Sequence, residues 1–216
     1  MSYHGAVKVG GTPDVRELPH LVISKVAVGP FDNNAYLLRC RATDKQLLID
    51  AAADAPVLLE TVGGSLDTVV TTHRHQDHWQ ALGAIVEATG ARTAAGRLDA
   101  DGIGVRCDLL LDDGDSLRVG EVELTVRHLV GHTPGAIVLL YDDPQGHSHL
   151  FTGDCLFPGG PGRTTKPSDF TSLMDGLEAK VFDALADETW IYPGHGNDST
   201  LGAERPHLAE WRARGW

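Results

Sequence analysis

The sequence predicts an α+β protein in which two β-sheets pack face to face and helices cover their outer surfaces. Three observations carry this. Short apolar runs punctuated by Gly, Asp and Pro recur through all 216 residues. The strand-like runs cluster in two halves, each followed by a helical pattern. No internal repeat or low-complexity linker divides the chain, so the reading is one domain over 1–216 with an N-terminal arm over 1–20 and no separate C-terminal substrate domain. A chain of this length buries about 70% of its unfolded surface, enough for an ordinary core without disulfides.

In the first half, residues 21–28, 35–40 and 46–50 read as strands separated by turn residues such as Asp32-Asn33-Asn34, an antiparallel meander. Residues 56–62 suit a short helix with Pro56 in its first turn. Residues 66–72 form a buried-strand run that ends at a histidine cluster. Leu82, Ile85 and Val86 then give helical spacing over 79–89, stopping at Gly90. In the second half, residues 108–111, 121–130, 136–141 and 149–152 read as strands. A helix is predicted over 168–185, with Ser168 or Asp169 as N-cap and Leu173, Leu177, Val181 and Leu185 on one face. Residues 189–192 are a last strand and 203–212 a last helix.

Eighteen Lys and Arg against thirty Asp and Glu give a net charge of -12, so no broad basic field exists to collect nucleic acid or anionic lipid. No apolar run is long enough to span a membrane, and the start lacks a signal-peptide core. Cys40, Cys107 and Cys155 lack a C-x-x-C spacing, which predicts free thiols and a cytoplasmic location.

The segment Thr71-Thr72-His73-Arg74-His75-Gln76-Asp77-His78 carries the chemistry. Residues two apart in an extended segment point the same way, so His73 and His75 can hold one ion. Asp77 and His78, after a bend, face a neighbouring position. One cluster cannot close two coordination spheres. The further candidates are His132 in Gly-His-Thr-Pro-Gly, Asp154 in Phe-Thr-Gly-Asp and His195 in Pro-Gly-His, each after a β-rich run and beside glycine.

The cluster at 73–78, with Gly-His-Thr-Pro-Gly at 131–135, Phe-Thr-Gly-Asp at 151–154 and Pro-Gly-His at 193–195, resembles the metallo-β-lactamase fold superfamily over about residues 21–197. Asp32-Asn-Asn-Ala-Tyr-Leu-Leu, residues 151–157 and Gly-Arg-Thr at 162–164 are most similar to its glyoxalase II-like hydrolases. The resemblance implies an αββα sandwich of two mixed sheets and a dinuclear centre. His73, His75 and His132 would hold one metal, Asp77, His78 and His195 the other, and Asp154 would bridge them. Zinc is the first expectation, and iron or manganese suit the same donors. Two divalent ions bring a shared water toward a pKa of about 7, so a bridging hydroxide can attack a carbonyl. A small, anionic thioester suits such a centre, because its thiolate leaves unprotonated. Asp77 is read as also orienting and passing on the hydroxide proton, and Arg163 as meeting a substrate carboxylate.

Thr165 and Asn197 stand where glutathione-dependent members usually show tyrosines, and the chain ends about twenty residues after His195, without their helical C-terminal domain. The resemblance therefore leaves room for another small thiol, an ester or a lactone. The nearest rival resembles the mononuclear-iron persulfide dioxygenases, which usually show Pro-Ala-His-Asp-Tyr where this chain has Pro193-Gly-His-Gly-Asn. Outside the cluster, His147 and His149 read as a solvated hairpin loop, and His4, His20, His128 and His207 as lacking partners. Cys155, Trp79 and Phe157 read as core packing.

Overall fold

The computed structural model describes residues 3–215, so the two ends of the predicted 1–216 span lie outside it. Its first sheet has seven strands in chain order: β1 (Asp14–Glu17), β2 (Leu21–Val28), β3 (Asn33–Cys40), β4 (Gln46–Ile49), β5 (Thr68–Thr71), β6 (Arg92–Gly96) and β7 (Leu109–Leu111). The meander β1–β4 is antiparallel, whereas β4 to β7 run parallel. Parallel neighbours need a crossover, and two helices supply it: α1 (Ala55–Val62) between β4 and β5, and α2 (Leu82–Thr89) between β5 and β6.

The second sheet takes in β8 (Ser116–Val119), β9 (Val122–His128), β10 (Ile137–Asp142), β11 (Ser148–Gly153), β14 (Trp190–Pro193) and β15 (Ser199–Thr200), in the order β15-β14-β11-β10-β9-β8. Between β11 and β14 lie a small hairpin, β12 (Leu156–Phe157) with β13 (Gly160–Pro161), and α3 (Pro167–Leu177). Two short helices, α4 (Leu201–Glu204) and α5 (Leu208–Arg214), follow β15. Both sheets are mixed, because β11 and β14 pair parallel while their neighbours pair antiparallel.

Side-chain alternation builds three layers of core. Leu21, Ile23, Tyr36, Leu38, Leu47 and Ile49 of the first sheet meet Leu124, Val126, Ile137, Leu139, Phe151 and Tyr192 of the second. The intervening positions Val26, Leu37 and Leu48 point the other way, onto α1 and α2, and Val138, Leu140 and Leu150 point onto α3 and α5. Lys25 continues the inward series of β2 and is fully buried. It donates to Asp198 Oδ1 at 2.6 Å and to the Gly5 and Gly196 carbonyls, so the charge is paired and its hydrogens are used.

Several sequence expectations change. The N-terminal arm carries β1, which pairs with β2 at the sheet edge. The predicted 168–185 helix starts at Pro167 after an extended Lys166, so Ser168 and Asp169 lie inside the first turn instead of capping it. It passes into a π-helical turn over Glu178–Phe182. The last helix is broken at 205–207, where Pro206 lacks the N–H that a continuous helix requires. His149 is fully buried, not solvated: β11 already starts at Ser148, so alternation sets His149 beside Phe151 on the inner face. His128 Nε2 lies 2.7 Å from the Pro134 carbonyl, and His20 Nε2 lies 3.0 Å from Gln145, so neither lacks a partner. Cys155 is buried as expected, and burial pushes its thiol pKa up. All three cysteines are free. Among the described residues, no helix is long and apolar enough to cross a membrane.

Candidate metal centre

The predicted donors converge because each follows the C-terminal end of a strand at one rim of the sandwich. His73 and His75 leave β5, His132 follows β9, Asp154 follows β11 and His195 follows β14. His75 is extended (φ −64°, ψ 135°), and a single 3₁₀ turn over Gln76–His78 then swings Asp77 and His78 to the neighbouring position. The backbone must pass very close here. A Cβ on Gly194 would sit 2.2 Å from Asp154 Oδ1 and 2.7 Å from His78 Cε1, so only glycine fits.

Three groups of donors form, with ligating atoms within 4.8 Å of one another: His73, His75 and His132; His73, His78 and Asp154; Asp77, His78 and His195. The imidazoles of His73, His75 and His132 make a triangle with ring centroids 4.6–4.8 Å apart. Asp154 stands between the sets. Its Oδ2 is 3.6 Å from both His132 Nε2 and His195 Nε2 and 4.0 Å from His73 Nε2, and its Oδ1 is 3.3 Å from His78 Nε2. Asp77 Oδ2 lies 3.4 Å from His195 Nε2 and 3.5 Å from His78 Nε2.

Behind four of the five imidazoles, an oxygen fixes the outer nitrogen and turns Nε2 inward. Nδ1 of His73 faces Thr72 Oγ1 at 3.1 Å, and Nδ1 of His78 faces Asp50 Oδ2 at 2.8 Å. Nδ1 of His132 faces the Arg163 carbonyl at 2.7 Å, and Nδ1 of His195 faces the Phe31 carbonyl at 3.0 Å. Asn33 Nδ2 donates to Asp77 Oδ2 at 2.9 Å. Asp99 is fully buried and accepts from the Arg74 and Gly135 amides and the Thr133 hydroxyl, tying the 73–78 segment to the His132 loop. Sequence reasoning missed Asp50, Asn33 and Asp99. The readable signal was a carboxylate closing the apolar strand run Leu47-Leu48-Ile49-Asp50.

The donor set fits a metal. Nε2 of His73, Nε2 of His132 and Oδ1 of Asp154 are buried without a hydrogen-bond partner, a cost that an ion would remove. Burial, with His78 nearby, holds His73 well below the usual histidine range, and burial with His132 lowers His75, so both stay neutral as ligands must. On the other side the carboxylates prevail. Burial opposes charge on His78, but Asp50 and Asp154 raise its pKa well above the ordinary value. Burial likewise opposes charge on His195, yet hydrogen bonds that it donates to Asp154 and Asp77 bring its pKa to about 10. The hydrogen bond with His195 in turn holds Asp77 far below the usual carboxylate range, against burial. A cation entering this half therefore displaces protons.

Two cavities open beside the donors and share His132. One, of about 470 Å³, is lined by Asp154, Phe157, the 158–162 loop, Arg163 and Arg214; the other, of about 320 Å³, by Arg74, His75, Val130 and Lys166. Phe157 is thus a cavity wall and not a core residue, with its ring 6.3 Å from that of His195. Trp79 is half-buried against the outer core of the first sheet, its indole donating to the Arg74 carbonyl. Arg163 is exposed and lines the first cavity, and its carbonyl faces His132 Nδ1.

Comparison with known proteins agrees with this geometry. The model of the metallo-beta-lactamase superfamily matches residues 28–195. The chain is 36% identical over 168 residues to a hydroxyacylglutathione hydrolase of Fuscovulum blasticum, covering 76% of this chain and 62% of that one. It is 35% identical over 167 residues to the mitochondrial persulfide dioxygenase of Homo sapiens, covering 74% and 62%. An uncharacterized protein of Aquifex aeolicus is 31% identical over 202 residues, covering 86% and 94%. The chain thus spans under two thirds of the two relatives whose activities are named. Among solved structures, ETHE1 from Myxococcus xanthus superimposes with a TM-score of 0.76 at 29% identity, covering 86% of this chain and 82% of that one. A B3 metallo-beta-lactamase, BLEG-1, gives 0.75 at 26%, covering 86% and 97%. With the family model, the sandwich and the donor groups in agreement, this chain belongs to the metallo-β-lactamase superfamily.

Proposed function

We infer that the protein is a hydrolase dependent on two divalent metal ions and that it cleaves a small thioester of a hydroxyacyl–thiol type. The observation that carries this is Asp154, whose carboxylate faces histidines of both donor sets at 3.3–4.0 Å, the arrangement a pair of adjacent ions requires. His73, His75 and His132 would hold one ion, Asp77, His78 and His195 the other, and Asp154 both. Zinc matches imidazole with carboxylate, and iron and manganese accept the same donors.

Bound there, two divalent ions supply a water acidified toward neutral pH and a Lewis acid for the carbonyl oxygen. The chain's own residues do the rest. The Asp77 carboxylate, positioned by Asn33, would orient the attacking water and pass on its proton. Asp50 and the carbonyls of Phe31 and Arg163 hold the imidazoles in their working tautomer. Phe157 shields the cavity from water, and the Arg163 guanidinium meets an anionic group of the substrate. Because a thiolate is a stable leaving group, no general acid is demanded of the chain.

The test is metal analysis of the purified protein together with a panel of thioesters, lactones and persulfides. Thioester hydrolysis with two metals per chain is expected. Oxygen uptake with a persulfide at one iron per chain, an activity named for the human relative, would replace this reading.

A further inference from the structure

His195 is delivered by the loop between Pro193, the end of β14, and Ser199, the start of β15. Backbone bonds hold Gly194, whose amide donates to the Gly153 carbonyl and whose carbonyl accepts the Asn34 amide. The Pro193 and Gly196 carbonyls, on either side of His195, are held instead by side chains of the first sheet. Asn34 Nδ2 donates to both, each at 2.9 Å, and the Tyr36 hydroxyl donates to that of Pro193 at 2.7 Å. Lys25 adds a further tie. Its buried ammonium donates to the Gly196 carbonyl at 2.8 Å and to Asp198 Oδ1 at 2.6 Å.

The N-terminal arm completes this pair. The third Lys25 hydrogen goes to the Gly5 carbonyl at 2.7 Å. Asp198 Oδ2 accepts the Tyr3 hydroxyl at 2.6 Å and the Trp190 indole at 2.9 Å. The arm is pinned in turn by Asp14 Oδ2, which accepts the His4 and Gly5 amides at 2.8 Å each. The Arg16 guanidinium stacks over the rings of Tyr3 and Trp190, 4.3 Å and 3.9 Å from their centroids. The fit is close, since a Cβ on Gly5 (φ +71°) would come within 2.5 Å of Asp198 Oδ2. A buried ammonium is tolerated only with its hydrogens used and a counter-charge beside it, so the arm is part of what holds the pair, and the pair is part of what holds the His195 loop.

The other donor set hangs on a different buried carboxylate. Asp99 ties the segment of His73 and His75 to the loop of His132, and none of the three Lys25 acceptors belongs to that network. The two halves of the centre are therefore anchored separately.

We propose that Lys25, with Asp198 and the arm residues Tyr3 and Gly5, positions His195, so that the N-terminal arm sets the affinity of the Asp77–His78–His195 half for its ion and leaves the His73–His75–His132 half alone. Lys25 is a positioning residue and acts only through the loop. This rests on the two-ion reading of the centre.

The experiment titrates Zn²⁺ into the metal-free full chain in competition with a chromophoric chelator, resolving the two binding events. His195→Ala identifies which event belongs to its half. Lys25→Met should weaken that event about tenfold, the low end for groups that stand behind a ligand, and leave the other within about twofold. Gly5→Ala, which drives the arm off Asp198, should weaken the same event about threefold or more, and Tyr3→Phe, which removes one hydrogen bond, should weaken it less. Equal weakening of both events, or an unchanged His195 event in either Lys25→Met or Gly5→Ala, would overturn the proposal. If Lys25→Met does not fold, Gly5→Ala decides alone by the same criterion. A wild type that takes up one ion sinks the two-ion reading, and hydrogen exchange in the metal-free proteins then decides the role of the arm. Amides over 193–198 should exchange about tenfold faster in Gly5→Ala than in wild type while those over 71–75 keep their rates, and equal rates over 193–198 would overturn it.

Discussion

His73 with His75 and His147 with His149 have the same two-apart spacing and nearly the same ring separation, 4.8 Å and 4.6 Å. Both pairs also contain a buried Nε2 without a partner. Their surroundings differ. The first pair lies at the rim where strands end, with His132 and Asp154 from two other loops within reach of it. The second lies at the start of β11, where His149 stacks on Tyr141 and faces the Tyr192 hydroxyl at 2.8 Å. Among the described residues, it recruits no third donor within range. Burial, with His147 and Arg16 adding positive charge, lowers His149 to about 3. Spacing alone therefore does not make a metal centre. Convergence of loops from different strands does, and the carboxylate between them gives the site its charge balance.

The strongest way to break this contrast is to remove the shared carboxylate. Asp154→Ala should abolish stoichiometric metal binding and lower turnover by more than about 100-fold, beyond the range typical of residues behind a ligand. His147→Ala should leave metal content unchanged, and elemental analysis of both variants decides the matter. Next in size, Asp50→Ala releases Nδ1 of His78 and should weaken metal affinity roughly 10- to 100-fold, as read by competition with a chromophoric chelator. Asn33→Ala, which frees Asp77 Oδ2, should fall near the low end of that range, about tenfold, and should shift the acid limb of the pH–rate profile.

The smallest effect belongs to the other pair. His149 is neutral when folded, down to about pH 3, whereas the unfolded chain protonates it near the ordinary value of about 6.5. The unfolded state then binds more protons, so the stability that His149 contributes is complete above about pH 6.5 and is lost progressively as the pH falls toward 3. Denaturant midpoints compared at pH 7.5 and pH 5, values chosen to bracket that range roughly, should fall less for His149→Gln than for wild type. An equal fall would show that His149 is protonated when folded.

The residues that meet in the centre were legible because side chains of one chemistry were crowded into six positions, and because the later donors each sat between a strand run and a glycine. The residues behind them were not. Asp50, Asn33 and Asp99 are single polar residues that gain their role only when distant segments fold against them. Asp50, with left-handed backbone (φ 59°), turns its carboxylate toward Thr72 and His78, and its place at the close of an apolar strand run does not tell which distant residues it meets. The strand order of the meander was readable from alternation. At His149 the hairpin signature over 142–146 misled, because β11 begins one residue before the predicted start and sets His149 on the inner face. The break of the last helix was foreseeable at Pro206, and the π-turn at 178–182 was not, since its sequence keeps ordinary helical spacing.

In the proposed centre, two ions share one carboxylate at the strand-end rim. Metal-free protein titrated with Zn²⁺ while thioester hydrolysis is followed, with elemental analysis at the plateau, tests it most directly. Maximal hydrolysis is expected at two metals per chain, with no such plateau in Asp154→Ala. Full hydrolysis at one metal per chain, or undiminished hydrolysis by Asp154→Ala, would contradict it.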